Sequence, residues 1–260
     1  MTINFTLKQY SDICRMAIDS GYHVLTIEKY IRDPNCYKNI IILRHDVDRK
    51  PINALKMAEL EYGLGIFSTY YFRHVTNTYK PSIMQSIAGM GHEIGYHYET
   101  LSKSHGNYDD AILLFESELA DFRIWIPVNT ISMHGSPLSP FNNRDLWKKY
   151  DFKKFDLLGE AYLSIDYQEL RYFTDTSRTW QHTRSNLRDF TDEMEQDDSV
   201  VDSNDLMNIL HQKKYPKICI SAHSERWNSD IAGWIFSISL DLITNLAKTC
   251  LRLVRRSSFN

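Results

Sequence analysis

Asn39-Ile-Ile-Ile-Leu-Arg-His-Asp-Val-Asp48 changes character halfway along. Its first half is a run of branched aliphatic residues. That is the pattern of a strand covered on both faces, as in a parallel sheet flanked by helices. Its second half is a cluster of ionisable groups, and α/β folds and barrels carry their chemistry at the carboxyl ends of such strands. Asp46 and Asp48 are two apart, so extended backbone points them to one side. Close carboxylates repel unless a cation or a shared proton relieves them. The stretch therefore predicts a metal site with a neighbouring base, or a carboxylate dyad.

Outward from this strand the chain alternates. Upstream, residues 6–20 read as a helix with Leu7, Tyr10, Ile13, Cys14 and Ala17 on one stripe, followed by an extended piece over 23–27. Downstream, Pro51 opens a helix to about residue 62 that lays Ala54, Leu55, Ala58 and Tyr62 on the sheet. Strands are expected over 67–73, 93–97, 130–134 and 217–222, with helices over 81–90, 107–125 and 203–214. Two less regular strands are expected over 157–165 and 171–174. Residues 177–202 read as a polar loop or insertion, a candidate lid, and the acidic run from Asp192 to Asp205 reads as solvated. Strand, helix, strand, helix, with a polar cluster after each strand, predicts a parallel α/β sheet or barrel.

The balance of the chain narrows the function classes. It has 260 residues, 43% hydrophobic and 24% charged, with a formal net charge of −3, so there is no bulk electrostatic case for nucleic acid. The cysteines Cys14, Cys36, Cys219 and Cys250 are far apart, without a CxxC, and read as reduced thiols. The N-terminus lacks the basic-then-apolar pattern of a signal peptide, and no uncharged span is long enough for a transmembrane helix, so a cytoplasmic protein is expected. From residue 231 the tail reads as an amphipathic helix with Ser237, Asp241, Lys248, Arg252 and Arg255 on a narrow polar stripe. Such a helix packs on the body, meets a partner, or lies in a membrane interface as a peripheral contact.

Asp46 and Asp48, His97 and Glu99, His134, and His223 all fall at the same end of successive buried strands, where a parallel fold makes them converge. A carboxylate with one or two imidazoles suits a borderline divalent ion such as zinc. A second carboxylate can serve as base on water, and a separate histidine can protonate a leaving group. That combination points to metal-assisted hydrolysis of an amide or ester.

Leu43-Arg-His-Asp-Val-Asp48, Thr69-Tyr-Tyr-Phe-Arg73, Gly91-His-Glu-Ile-Gly-Tyr-His-Tyr-Glu99, Met133-His-Gly-Ser-Pro137, Thr174-Asp-Thr-Ser-Arg-Thr-Trp180 and Ile220-Ser-Ala-His-Ser-Glu-Arg-Trp227 together resemble the polysaccharide deacetylases of carbohydrate esterase family 4, the NodB-homology type. More narrowly, they resemble the deacetylase-like proteins of bacterial surface-polysaccharide gene clusters. The motifs run in family order over roughly residues 40–230. The resemblance implies an α/β fold, an incomplete (β/α) barrel with peripheral N-terminal and C-terminal helices. It would fill residues 1–230, core about 39–227, followed by the helix 231–260.

The resemblance also implies roles. Asp46 matches the family's catalytic base, Asp48 and His97 its metal ligands, and His223 its catalytic acid, steered by Asp175. Zinc is the expected ion, with cobalt, nickel or manganese as alternatives. The implied substrate is an N-acetylated sugar, sugar nucleotide or lipid-linked glycan. Arg73, Tyr98, Arg178 and Trp227 are candidate substrate-binding residues. Two departures stand out. The family's second metal histidine, four residues after the first, is Leu101 here, so Glu99 or His134 must complete the set, with Glu99 favoured as part of the same strand end. Ser224 stands where close relatives tend to carry proline. Three other readings stay open: a metal-free carbon–nitrogen hydrolase on the same fold, a non-catalytic scaffold in polysaccharide assembly, and a glycosyltransferase whose Asp46-Val-Asp48 binds a metal and sugar nucleotide. The last lacks room for a nucleotide-binding unit upstream.

Overall fold

The computed structural model describes residues 4–181, 197 and 199–239. Most of the candidate lid and the tail beyond residue 239 lie outside the described residues, as do Asp241, Lys248, Arg252 and Arg255. The aliphatic half of the opening stretch becomes β2, Ile40–Val47, every residue of which is buried. Preceding it are α1 (Leu7–Asp19), β1 (His23–Leu25) and α2 (Ile27–Arg32). Following it are α3 (Pro51–Gly63), β3 (Thr69–Phe72), α4 (Pro81–Gly89), β4 (Glu93–Tyr98), α5 (Thr100–Lys103), α6 (Tyr108–Arg123) and β5 (Thr130–Met133). The remainder is α7 (Leu146–Lys149), β6 (Gly159–Glu160), β7 (Arg171–Thr174), α8 (Ser203–Gln212) and β8 (Lys217–His223).

All strand pairs are parallel, and the sheet runs β6-β5-β4-β3-β2-β8-β7, with β1 also on β2. The strands thus follow chain order around a curved wall that closes from β8 back onto β2 and stops between β6 and β7. This is the expected incomplete (β/α) barrel. Because the strands are parallel, their carboxyl ends share one rim. Register across the wall sets Asp46 beside Tyr71 on one side and His223 on the other, and His97 beside Ser132.

Local chemistry explains where the helices start. Thr6 caps α1 through a reciprocal capping box with Gln9, and Asp202 does the same for α8 with Asp205. Asn107 accepts from the first amides of α6, and prolines occupy the first turns of α3 and α4. The apolar stripe of α1 is buried as its spacing predicts, at Tyr10, Ile13, Cys14 and Ala17.

Three expectations change. Residues 157–165 hold only the short strand β6. The buried Glu160 carboxylate accepts the amides of Met133, Tyr162 and Leu163 and turns the chain there. Residues 27–32 form the helix α2, which Thr26 caps by accepting from the Lys29 amide. The inward face of α3 is Ala54, Met57, Ala58 and Glu61, while Tyr62 is 56% exposed. Glu61 is drawn inside by His45, Ser68 and Tyr70.

Gly95 in β4 is required by close packing. A Cβ there would stand 2.2 Å from the Tyr71 ring and 2.9 Å from the Thr130 carbonyl oxygen. The Gly95→Ala protein is expected to lose about 1–3 kcal/mol of stability, read as a lower denaturant midpoint at unchanged slope. An unchanged midpoint would mean that Tyr71 can swing aside.

Candidate active site

The rim gathers the predicted side chains in two groups. The first is built by β2, β4 and β5. Along β2, Arg44 and Asp46 share the inner face, while His45 points outward to α1 and α3. The Arg44 guanidinium donates to Asp46 Oδ2 at 2.7 Å and to the Tyr162 hydroxyl at 3.0 Å. Asp46 Oδ1 is buried without a hydrogen-bond partner. Burial alone would raise the Asp46 carboxyl, but Arg44, His97 and His223 outweigh it and hold the group below its ordinary value.

Asp48 follows the end of β2. Its Oδ1 is buried and makes no hydrogen bond, yet it lies 3.4 Å from His97 Nε2 and 3.5 Å from His134 Nε2. Burial again pulls its carboxyl up, and His134, His97 and His223 hold it well below the usual range. His97 Nε2 is also 3.9 Å from Asp46 Oδ2. Burial opposes charging of His97, but Asp46 and Asp48 together raise its pKa. Both carboxylates of the Asp-Val-Asp sequence therefore face one imidazole.

The second group hangs on Asp175, just after β7. Its Oδ1 accepts from His223 Nδ1 at 2.7 Å and from Arg226 Nη1 at 2.6 Å. Its Oδ2 accepts from the His223 amide and the Trp227 indole, both at 2.9 Å. Asp175 is fully buried, which works against its charge, but Arg226 and His223 pull its pKa down to about 2. For His223, burial and Arg226 favour the neutral ring, while Asp175 and Asp48 outweigh them and push it up to about 9. Asp175 thus favours the charged ring, and with Nδ1 engaged the Nε2 proton is the one left to give.

A single rule orients the rim imidazoles. A carbonyl or an ionised carboxylate can only accept, so each Nδ1 below is a donor. His97 Nδ1 donates to the Ser132 carbonyl at 2.9 Å, His134 Nδ1 to Glu99 Oε2 at 2.8 Å, and His223 Nδ1 to Asp175. In His97 and His134 this leaves Nε2 as the nitrogen with a lone pair to offer, the arrangement found around metal-ligating histidines.

Among the described residues no group of three or more His, Cys, Asp or Glu side chains could hold a metal ion as it stands. Two sides of the Asp48–His97–His134 triangle nevertheless have the right length. Tetrahedral ligands at about 2.0–2.1 Å from zinc stand about 3.3–3.4 Å from one another. Asp48 Oδ1 reaches the two Nε2 atoms at 3.4 and 3.5 Å, and the two rings meet edge to face with centroids 5.3 Å apart. A buried carboxylate oxygen without a hydrogen bond, facing two imidazole nitrogens, is what such an ion would satisfy.

Other candidates stand elsewhere. Glu99 does not complete the set with its own oxygens. They take Arg73 at 2.8 and 2.9 Å, His134 Nδ1, and the Ser136 hydroxyl at 3.1 Å. Arg73 is committed to Glu99 and to the Asp48 carbonyl, at 3.4 Å. Tyr98 is fully buried, accepting from the Trp147 indole and donating to Glu160, so it offers no face to a sugar. Trp227 is 1% exposed and serves Asp175 with its indole N–H. Arg178 donates to Ser237 Oγ at 2.6 Å, tying the segment after β7 to the helical residues 231–239. Leu101 is buried in the core.

Arg44, Ser136, Glu225 and Arg226 were given no role in the sequence, although the two-residue spacing of Arg44 and Asp46 was a readable signal for a shared face. Glu225 is buried beside this group, and burial together with Asp48 pushes its carboxyl up.

In Asp175→Asn, the His223 pKa is expected to fall by about 1–3 units, because the charge that stabilises the imidazolium is gone. If His223 acts as an acid, the alkaline limb of kcat/KM moves down by the same amount. A limb that stays in place would remove His223 from that role.

Solved structures similar to this chain include two CE4 proteins. A Streptococcus mutans CE4 esterase is 13% identical, with 87% of this chain and 89% of that one covered and a TM-score of 0.48. The Xyl-CE4 domain of a multidomain xylanase from the hindgut metagenome of Trinervitermes trinervoides is 14% identical, with 80% and 84% covered and a TM-score of 0.37. No family model and no curated protein matches the chain.

Proposed function

We propose that the chain is a metal-dependent hydrolase that removes an acetyl group from an N-acetylated sugar or glycan precursor. The observation that carries this reading is the convergence on Asp48 Oδ1 of two imidazole Nε2 atoms, at 3.4 and 3.5 Å, beside Asp46. Asp48, His97 and His134 would hold the ion. When bound, such an ion polarises an acyl carbonyl and eases deprotonation of water.

The rest falls to the chain's own side chains. Asp46, kept charged by Arg44, takes the proton of the attacking water. Water adds to the acyl carbon, the carbon–nitrogen bond breaks, and the amine leaves with a proton from His223 Nε2. Asp175 holds His223 by Nδ1 so that the opposite nitrogen faces the reaction. One base held ionised and one acid held protonated at the same pH is the division of labour that amide hydrolysis needs.

The motif order supports an acylated sugar as substrate, and the form we propose is a nucleotide- or lipid-linked precursor in surface-polysaccharide biosynthesis. Among the described residues no helix is long and apolar enough to cross a membrane. Ile231, Ile235 and Phe236 are exposed at the start of the tail, which supports a docking role for it.

Elemental analysis of protein purified without affinity-tag metals is the test. About one zinc, cobalt, nickel or manganese ion per chain is expected in the wild type, and none in Asp48→Ala. Acetate release from N-acetylated sugar nucleotides should follow the metal. Equal metal content in the two proteins would sink the assignment.

A further inference from the structure

The position that would give a second histidine after β4 is the buried Leu101 in α5, and the second imidazole nitrogen facing Asp48 is that of His134, beyond β5. A histidine on a loop has two tautomers and a free ring torsion, so something must decide which nitrogen faces Asp48. Glu99 sits behind the ring. Its Oε2 accepts from His134 Nδ1 at 2.8 Å and from Ser136 Oγ at 3.1 Å. Its Oε1 is held by Arg73 Nε and Nη2 at 3.2 and 2.8 Å, with Lys103 Nζ further off at 3.9 Å. The carboxylate is 7% exposed by side chain and fully engaged, so it cannot turn toward Asp48 without abandoning the half-buried Arg73 guanidinium. Ser136 adopts φ +40°, a left-handed conformation uncommon outside glycine, and its hydroxyl lies 3.0 Å from His134 Nδ1. Strained backbone at such a place marks a geometry held by its surroundings. Asn143 closes the loop by donating to the His134 carbonyl at 2.8 Å.

We propose that Glu99, anchored by Arg73, is the positioning residue that fixes His134 in its Nδ1–H tautomer and so makes His134 Nε2 a metal donor. The pair replaces, from a different strand, the ligand absent at Leu101. Its value as a ligand device rests on the metal-hydrolase reading above, but the tautomer itself does not.

Two measurements on the full chain test it. Long-range nitrogen–proton correlation spectra of the metal-free protein at mildly alkaline pH, assigned with His134→Ala, report the tautomer. The wild type should show Nδ1–H at His134, and Glu99→Ala should lose it to Nε2–H or to a mixture. Competition against a chromophoric chelator reports zinc affinity, expected to drop about 10–100-fold in Glu99→Ala. Glu99→Gln keeps the size and one acceptor oxygen, so it should fold and lose less, and thermal melts check that Glu99→Ala remains folded. An Nδ1–H tautomer that persists in Glu99→Ala overturns the proposal. So does zinc affinity unchanged in that variant while His134→Ala loses it. Zinc held alike by wild type and His134→Ala also overturns it, and unlike the other two outcomes it strikes the functional reading as well.

Discussion

Asp46→Asn is expected to lower turnover by about 10²–10⁴-fold while leaving the metal content unchanged. Asparagine keeps the shape and an acceptor oxygen for Arg44, whose guanidinium is fully buried 2.7 Å from Asp46 Oδ2. It removes the basic oxygen that would take a proton from water. Alanine is the wrong test, because it would leave Arg44 as an uncompensated buried cation and confuse catalysis with folding. Acetate release and elemental analysis on the same preparation separate the two effects. Retained turnover would place the base elsewhere, and loss of the metal would make Asp46 a ligand rather than a base.

The largest stability effect is expected from Glu61→Ala, on the far side of β2 from the rim. The fully buried Glu61 carboxylate accepts from the Tyr10 hydroxyl, from His45 Nε2 at 2.7 Å, from Ser68 Oγ at 2.5 Å and from the Tyr70 hydroxyl at 2.9 Å. One group thus joins α1, β2, α3 and β3. Alanine removes the shared partner and leaves those polar atoms buried, at a cost of about 3–5 kcal/mol. Against a typical total of about 5–15 kcal/mol, that is a large fraction. Denaturant unfolding should show the midpoint collapse, and a shift within error of zero would mean that water fills the gap.

The same group makes stability depend on pH. Burial tends to raise the Glu61 carboxyl, but His45 and His92 with Ser68 hold it below its ordinary value. A depressed carboxyl contributes its stability above the unfolded value and loses it as pH falls through the folded one. The wild type should therefore lose more stability than Glu61→Ala on acidification through the carboxylate range.

The gathering of the ionisable groups on one rim was legible because it depends on patterns local to each strand. Four aliphatic residues in a row at Ile40–Leu43 announce a strand buried on both faces, and ionisable residues directly after it announce its carboxyl end. Repetition at His97, His134 and His223 announces parallel strands, since only then do such ends meet. A period of two also puts Arg44 with Asp46, a relation that the sequence offered and the reading left unused.

The partners of those groups were not legible. Whether Glu99 faces Asp48 or His134 depends on a loop more than thirty residues away in sequence, at a distance of 2.8 Å. Whether Trp227 and Tyr98 stack on a substrate or sit inside depends on packing, and both are buried, one on Asp175 and one between Trp147 and Glu160. The burial of Glu61 was not legible for a related reason. Side-chain type alone predicts a charged residue outside, and only the approach of Tyr10, His45, Ser68 and Tyr70 from separate elements makes burial tolerable. Sequence by itself determined the parallel wall and the rim on which the ionisable groups stand, because strand burial and side-chain alternation are properties of short segments. Tertiary structure alone decided which carboxylate meets which imidazole, because hydrogen-bond partners are set by register and loop geometry across the chain.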